Sequence, residues 1–395
     1  MNDRKPETGP LVGLRILDLT RLLPGPLGTM LMADLGAEVL KIESPEVPDY
    51  VRAFPPHLHG ESVHYLSYNR SKRSVLLDYT HEEGRKTFLR LVATADVVVE
   101  QFRSGYLDGL GIGYEAARQV NPRIIYVSVT GYGQTGPYAH RAGHDLNYAG
   151  LAGVLGLTGE ADGPPVVPGV QLADIAGGSY MAVIATLAAL QARHRTGEGQ
   201  HVDVSMTDAV MPLLSVSYAL YAGTGTAAPR GTLPLSGGQV NYGVYACADG
   251  KYVALGTLEP KFWQRFCAAV GRPNWVPFSA LTDREQVEQA QKEVADEIRT
   301  KPLDYWTALG AEQDIPMTAV YDLPDLEKDP HLRSRGMIIE QEHPIAGRLR
   351  QIGIPLKFSR TPVRPAWAAP VWGQDTAAVL QELKDREQRT ASSGS

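Results

Sequence analysis

Cysteine is almost missing from this chain: 395 residues hold two, Cys247 and Cys267. Their spacing fits neither a metal knuckle nor a disulfide framework, so no metal site is expected and a reducing cytoplasm is the expected compartment. An excess of positive charge is also missing. With 38 Lys and Arg against 44 Asp and Glu, the net charge is -6, and nothing global attracts nucleic acid. Long apolar runs are missing as well. Even Ile175 to Leu190 is interrupted by glycines and a serine, so no membrane span is expected, and MNDRKPETGP at the start lacks the apolar core of a secretory signal.

What is present reads as an α/β protein. From Leu14 to Thr130 strand patterns alternate with helical ones, the signature of a mainly parallel, Rossmann-like sheet. The strand candidates are Leu14 to Leu19, Glu38 to Ile42, Ser74 to Leu77, Asp96 to Glu100 and Ile124 to Val129. The first strand-to-helix turn, LLPGPLGTML, lacks the GxGxxG fingerprint, which argues against NAD or flavin. Long helices are expected over Leu172 to His194 and Ser205 to Tyr221, with the short turn and strand TGEGQHVDV between them. A Gly/Thr/Ala/Pro-rich stretch over 222–238 reads as a linker from a large domain (1–221) to a smaller α+β domain (239–337). The smaller domain opens on a hairpin turning at Asp249-Gly250 and a helix started by Glu259-Pro260. Residues 338–395 are expected to complete the large domain, with a last helix over Thr376 to Arg386 and a disordered tail from Arg389.

The chemistry-bearing stretch is RAGHDLNYAGLAG, Arg141 to Gly153. A glycine followed by His144 and Asp145 and then a helical run suggests a tight bend that delivers both side chains to a helix N-terminus, where free N–H groups can hold an oxyanion. The same pattern also fits a plain N-cap by Asp145 beside an ordinary loop histidine. Asp174, followed by Ala176, Gly177, Gly178 and Ser179, is either a functional carboxylate beside a close-packed backbone or an early-turn acid favoured by the helix dipole. Arg70, Lys72, Arg73 and Arg103 fall near strand ends, and either receive phosphates or form a solvated basic edge.

On the residues GHDLNY (Gly143 to Tyr148), LADIAGG (Leu172 to Gly178) and LEPKFW (Leu258 to Trp263), the chain resembles the alpha-methylacyl-CoA racemases within the family III (CaiB/BaiF) CoA-transferases. NRSKRSVLLD, TGYGQTGP and GEGQHVDVSM extend the resemblance over roughly Pro10 to Pro362. It implies an interlocked homodimer acting on an acyl-CoA, with no cofactor beyond the CoA moiety. It also implies that His144, Asp174 and Glu259 are proton-transfer residues. Arg70, Lys72, Arg73 and Arg103, with Gly143, Asn147 and Tyr148, would meet the coenzyme. In the transferase branch the aspartate matching Asp145 is expected to be the covalent nucleophile. His144 and Glu259 favour the racemase branch, while SGGQVNYG at Ser236 to Gly243 resembles the closing glycine loop of transferases.

The expected reaction is therefore inversion of the alpha carbon of a 2-methylacyl thioester by two bases. His144, oriented by Glu259, would face one side of the carbon and Asp174 the other. CoA transfer through Asp145 is the alternative.

Overall fold

A computed structural model describes residues 5–393. Six strands form one parallel sheet: β1 (Arg15–Asp18), β2 (Glu38–Glu43), β3 (Lys72–Leu76), β4 (Val97–Glu100), β5 (Ile125–Thr130) and β6 (His201–Ser205). Their spatial order is 3-2-1-4-5-6, the doubly wound order. Strands β1, β4 and β5 are buried along their whole length, which is why RILD, VVVE and IYVSVT read as apolar runs rather than alternating ones. Helices on both faces complete the core, and the C-terminal helix Thr376–Ser393 inserts Val379 and Leu383 into it. That helix runs into the tail expected to be disordered, whose last two residues lie outside the described ones.

Two contact-defined units divide the chain. The first comprises Met1–Ala152, Gly169–Pro212 and Ser334–Ser395, and the second Gly153–Pro168 and Leu213–Arg333. The stretch 222–238, expected as a linker, belongs to the second unit, where the Gln291 side chain donates to the Gly237 and Gln239 carbonyls. The second unit holds a three-stranded antiparallel sheet of β7 (Tyr242–Ala246), β8 (Tyr252–Gly256) and β9 (Met317–Val320), with β8 in the middle. Trp263, Phe266 and Trp306 fill the core beneath it.

The expected helix from Leu172 is a wide π-helical stretch, Ala173–Tyr180, continuing as the α-helix Met181–Thr196. Counted together, these 24 residues are long and apolar enough to cross a bilayer, which corrects the premise that no such run exists. Its alanines and glycines are apolar enough to sustain the average, while their small size lets one side of the helix pack closely against its neighbours. A Cβ on Gly177 would meet the Met206 carbonyl oxygen at 2.7 Å, and one on Gly178 the Pro24 ring at 2.6 Å. The second expected helix is broken instead: Met206–Val210, a 3-10 turn Met211–Leu214, then Ser215–Thr224. Pro212 lacks the N–H that a continuous helix would need.

Candidate active site

In a 3-2-1-4-5-6 sheet the connections diverge between β1 and β4, leaving a crevice at the carboxyl ends of those strands. A cavity of about 500 Å³ lies there. Pro24 after β1, Phe102 and Arg103 after β4, Thr130 to Tyr132 at the end of β5 and Met206 after β6 line it, and Arg141, Gly143, His144, Asn147, Tyr148 and Asp174 are added from beyond the sheet.

Helix Asp145–Leu151 has His144, not Asp145, at its N-cap. The His144 N–H donates to Asn147 Oδ1 at 3.0 Å, so this donor, expected near the oxyanion, is already spent. Four residues on, Tyr148 lies on the same side of the helix and its hydroxyl donates to the Gly143 carbonyl. Its ring is pressed between two backbones: a Cβ on Gly131 would sit 2.2 Å from it, and one on Gly143 2.6 Å. Space for Tyr148, rather than a left-handed bend, is what Gly143 provides. The Tyr132 ring adds an edge contact at 5.1 Å, fixing the segment that presents His144.

Asp145 does not line the cavity; Asp174 does. Asp145 Oδ1 accepts from the N–H groups of Ala173 at 2.7 Å and Asp174 at 3.0 Å, capping the wide helix that carries Asp174. Burial, reinforced by the Asp145 charge, pushes the Asp174 carboxyl up to about 7. The cavity thus holds one carboxylate, half-buried and poised near neutrality, while the other acid of the pair serves the backbone.

Three of the four cations expected to meet phosphate do not face the cavity. Lys72 and Arg73 open β3, and all three are buried in ion pairs. Arg70 is 2% exposed and binds Asp34, Lys72 binds Asp18 at 2.9 Å, and Arg73 binds Glu38 at 2.7 Å and Glu382 at 2.6 Å. Each guanidinium or ammonium is answered by a carboxylate, so none is available for coenzyme. Arg103 is different: it lines the cavity, is exposed, and has no carboxylate partner among the described residues. Arg141 lines the cavity too, with its guanidinium 3.7 Å from the Tyr138 ring centre. Sequence reasoning missed Arg141 because cations were sought at strand ends, although it opens the very stretch that carries His144. Glu259 belongs to the second unit, as the exposed N-cap of helix Pro260–Ala269, and is not among the residues lining this cavity.

Residues 11–376 match the model of CoA-transferase family III. The chain belongs to this family. It is 35% identical over 412 residues to the succinate–glutarate CoA-transferase of Agrobacterium fabrum, covering 99% of each chain. It is 33% identical over 401 residues to the formyl-CoA:oxalate CoA-transferase of Shigella sonnei, covering 95% of each. A CaiB/BaiF family protein from Brucella suis superposes with a TM-score of 0.83 at 33% identity, covering 95% of this chain and 100% of that one. The relatives are named for CoA transfer, not for racemisation, and this overturns the expectation of a racemase. His144 and Glu259 were expected to act as an imidazole–carboxylate pair. Their presence in the chain is not specific enough to outweigh likeness over nearly its whole length.

Proposed function

We propose that this protein is a CoA-transferase that moves CoA from an acyl-CoA to a free carboxylic acid, with Asp174 as the nucleophile. One observation carries the assignment: of the two neighbouring acids, Asp174 alone opens onto the cavity at the switch point, while Asp145 is engaged by two backbone N–H groups. The Asp174 carboxylate attacks the thioester carbonyl, the C–S bond breaks, and an acyl-aspartyl anhydride forms with CoA thiolate. The thiolate then attacks the aspartyl carbonyl, releasing the donor acid and leaving CoA on Asp174. The acceptor carboxylate attacks that thioester, and the returning thiolate takes the acceptor's acyl group, restoring Asp174. Each step exchanges acyl carbons between carboxylate and thiolate, so the cycle calls for no metal or redox cofactor.

Arg103 and Arg141 supply positive charge to the cavity, and His144 and the Asn147 amide supply hydrogen-bond donors. We assign the two arginines to the phosphates of CoA. The relatives' names make short dicarboxylic acids the acceptors to test first. The same reading places the protein in the cytoplasm as a homodimer. It is supported by two free, buried cysteines and by the exposed apolar side chains Tyr180, Ile184 and Leu187 on one helix. Incubation with succinyl-CoA and glutarate should form glutaryl-CoA, and Asp174→Ala should abolish it. Retained transfer by Asp174→Ala would sink the assignment. Light scattering showing a monomer would remove the dimer.

A further inference from the structure

A π-helix is rare and seldom longer than one turn, and its first N–H groups have no partners within the helix. In the stretch Ala173–Tyr180 the later residues are clamped from outside: Gly177 against Met206, Gly178 against Pro24, and the Ser179 hydroxyl donating to the Pro24 carbonyl at 2.6 Å. The first turn, which carries Asp174, has no such packing against its N–H groups. Instead a single oxygen, Asp145 Oδ1, takes those of Ala173 and Asp174, from 28 and 29 residues away in the chain.

The other ionisable groups on the elements packed against this helix are spent or turned elsewhere. Asp34 is held by Arg70, Arg193 is held by Asp96 at 2.9 Å, His201 meets the Ser128 hydroxyl at 2.9 Å, Asp203 accepts from the Gln134 N–H at 2.8 Å, and His194, Arg195 and Asp208 are exposed. Burial holds the Tyr148 hydroxyl above the ordinary tyrosine range. Beside Arg103, Arg141 and His144 on the cavity wall, Asp145 is left as the anion next to Asp174.

Resting on the reading that Asp174 is the nucleophile, we propose that Asp145 is its positioning residue, holding the first turn of the wide helix and setting a negative charge beside the reacting carboxylate. The two roles separate by substitution. Asp145→Asn keeps an oxygen to accept both N–H groups and removes the charge; Asp145→Ala removes both. Because the neighbouring charge helps to hold the Asp174 carboxyl at about 7, the asparagine variant lowers it.

The test is the pH profile of kcat with succinyl-CoA as donor and glutarate as acceptor. In the unaltered protein kcat should fall as pH drops through about 7. In Asp145→Asn that fall should move to lower pH, with the plateau reduced by no more than about threefold. In Asp145→Ala the plateau should drop on the order of a hundredfold, with KM for succinyl-CoA unchanged. An unmoved midpoint in Asp145→Asn, or an unreduced plateau in a folded Asp145→Ala, would overturn the proposal. Transfer that survives Asp174→Ala would instead remove the underlying reading.

Discussion

Replacing Arg70 with methionine separates a structural cation from a coenzyme-binding one. Arg70 places Nε and Nη2 on Asp34 Oδ2 at 3.0 and 2.8 Å and Nη1 on the Ile352 carbonyl at 2.7 Å, tying the helix Pro24–Asp34 to the hairpin of strands Ile338–His343 and Gly347–Ile352. Both side chains are essentially out of solvent, 2% and 0% exposed. Removing one member of such a pair leaves a buried carboxylate without its partner, a loss of about 3–5 kcal/mol. For a unit of this size each kcal/mol moves the melting midpoint by roughly 2–4 °C, so the midpoint should fall by about 6–20 °C. Uptake of a proton by Asp34 limits the loss, because burial already holds its carboxyl above the ordinary range. With a folded-state value above the unfolded one, that relief is available at low pH and is lost as pH rises. The deficit against the unaltered protein should therefore be smaller near about pH 5.5 than near about pH 8. Differential scanning calorimetry reads the midpoint, and titration calorimetry with CoA should show unchanged affinity in the folded variant. A midpoint within a degree or so of the parent, together with weakened CoA binding, would refute this reasoning and return Arg70 to the coenzyme.

Other consequences are as direct. Arg103→Ala should lower CoA affinity measured by calorimetry while leaving stability within about 0.5 kcal/mol, since the side chain is exposed and has no carboxylate partner among the described residues. Gly143→Ala forces a methyl into the Tyr148 ring; a cost of about 1–3 kcal/mol in denaturant unfolding and a loss of transfer activity are expected. Asp18 is buried, which by itself raises its carboxyl, but the Lys72 and Lys41 charges and the Thr20 and Thr29 hydroxyls outweigh burial and hold it down at about 2. A depressed carboxyl contributes stability that is present above the unfolded value near 3.8 and lost as pH falls through 2. Asp18→Asn should flatten the acid limb of the stability curve by about 2 kcal/mol, read by urea unfolding across that range.

Much of the fold was legible because the physics behind it is local. Five strand candidates match β1 to β5 within two residues, since buried parallel strands read as short apolar runs between turn signals. The segment Gly153–Pro168, which joins the second unit, was not legible, because its partners lie far along the chain. His144 and Asp174 were picked as reactive groups, and the structure puts both on one cavity; the roles of Asp145 and Gly143 depend on what approaches them in space. Charge was the least legible. NRSKRS looks like a phosphate cradle, yet Asp18, Asp34, Glu38 and Glu382 neutralise it, while Arg141, stacked on Tyr138 and without a carboxylate partner among the described residues, lies three residues before His144.

The most direct test of the central claim is chemical trapping of the acyl carrier. The protein is incubated with succinyl-CoA and no acceptor, treated with hydroxylamine, digested and sequenced by mass spectrometry. A hydroxamate on Asp174 and an unmodified Asp145 are expected. A hydroxamate on Asp145, or acceptor-dependent CoA transfer with neither aspartate modified, would contradict the claim.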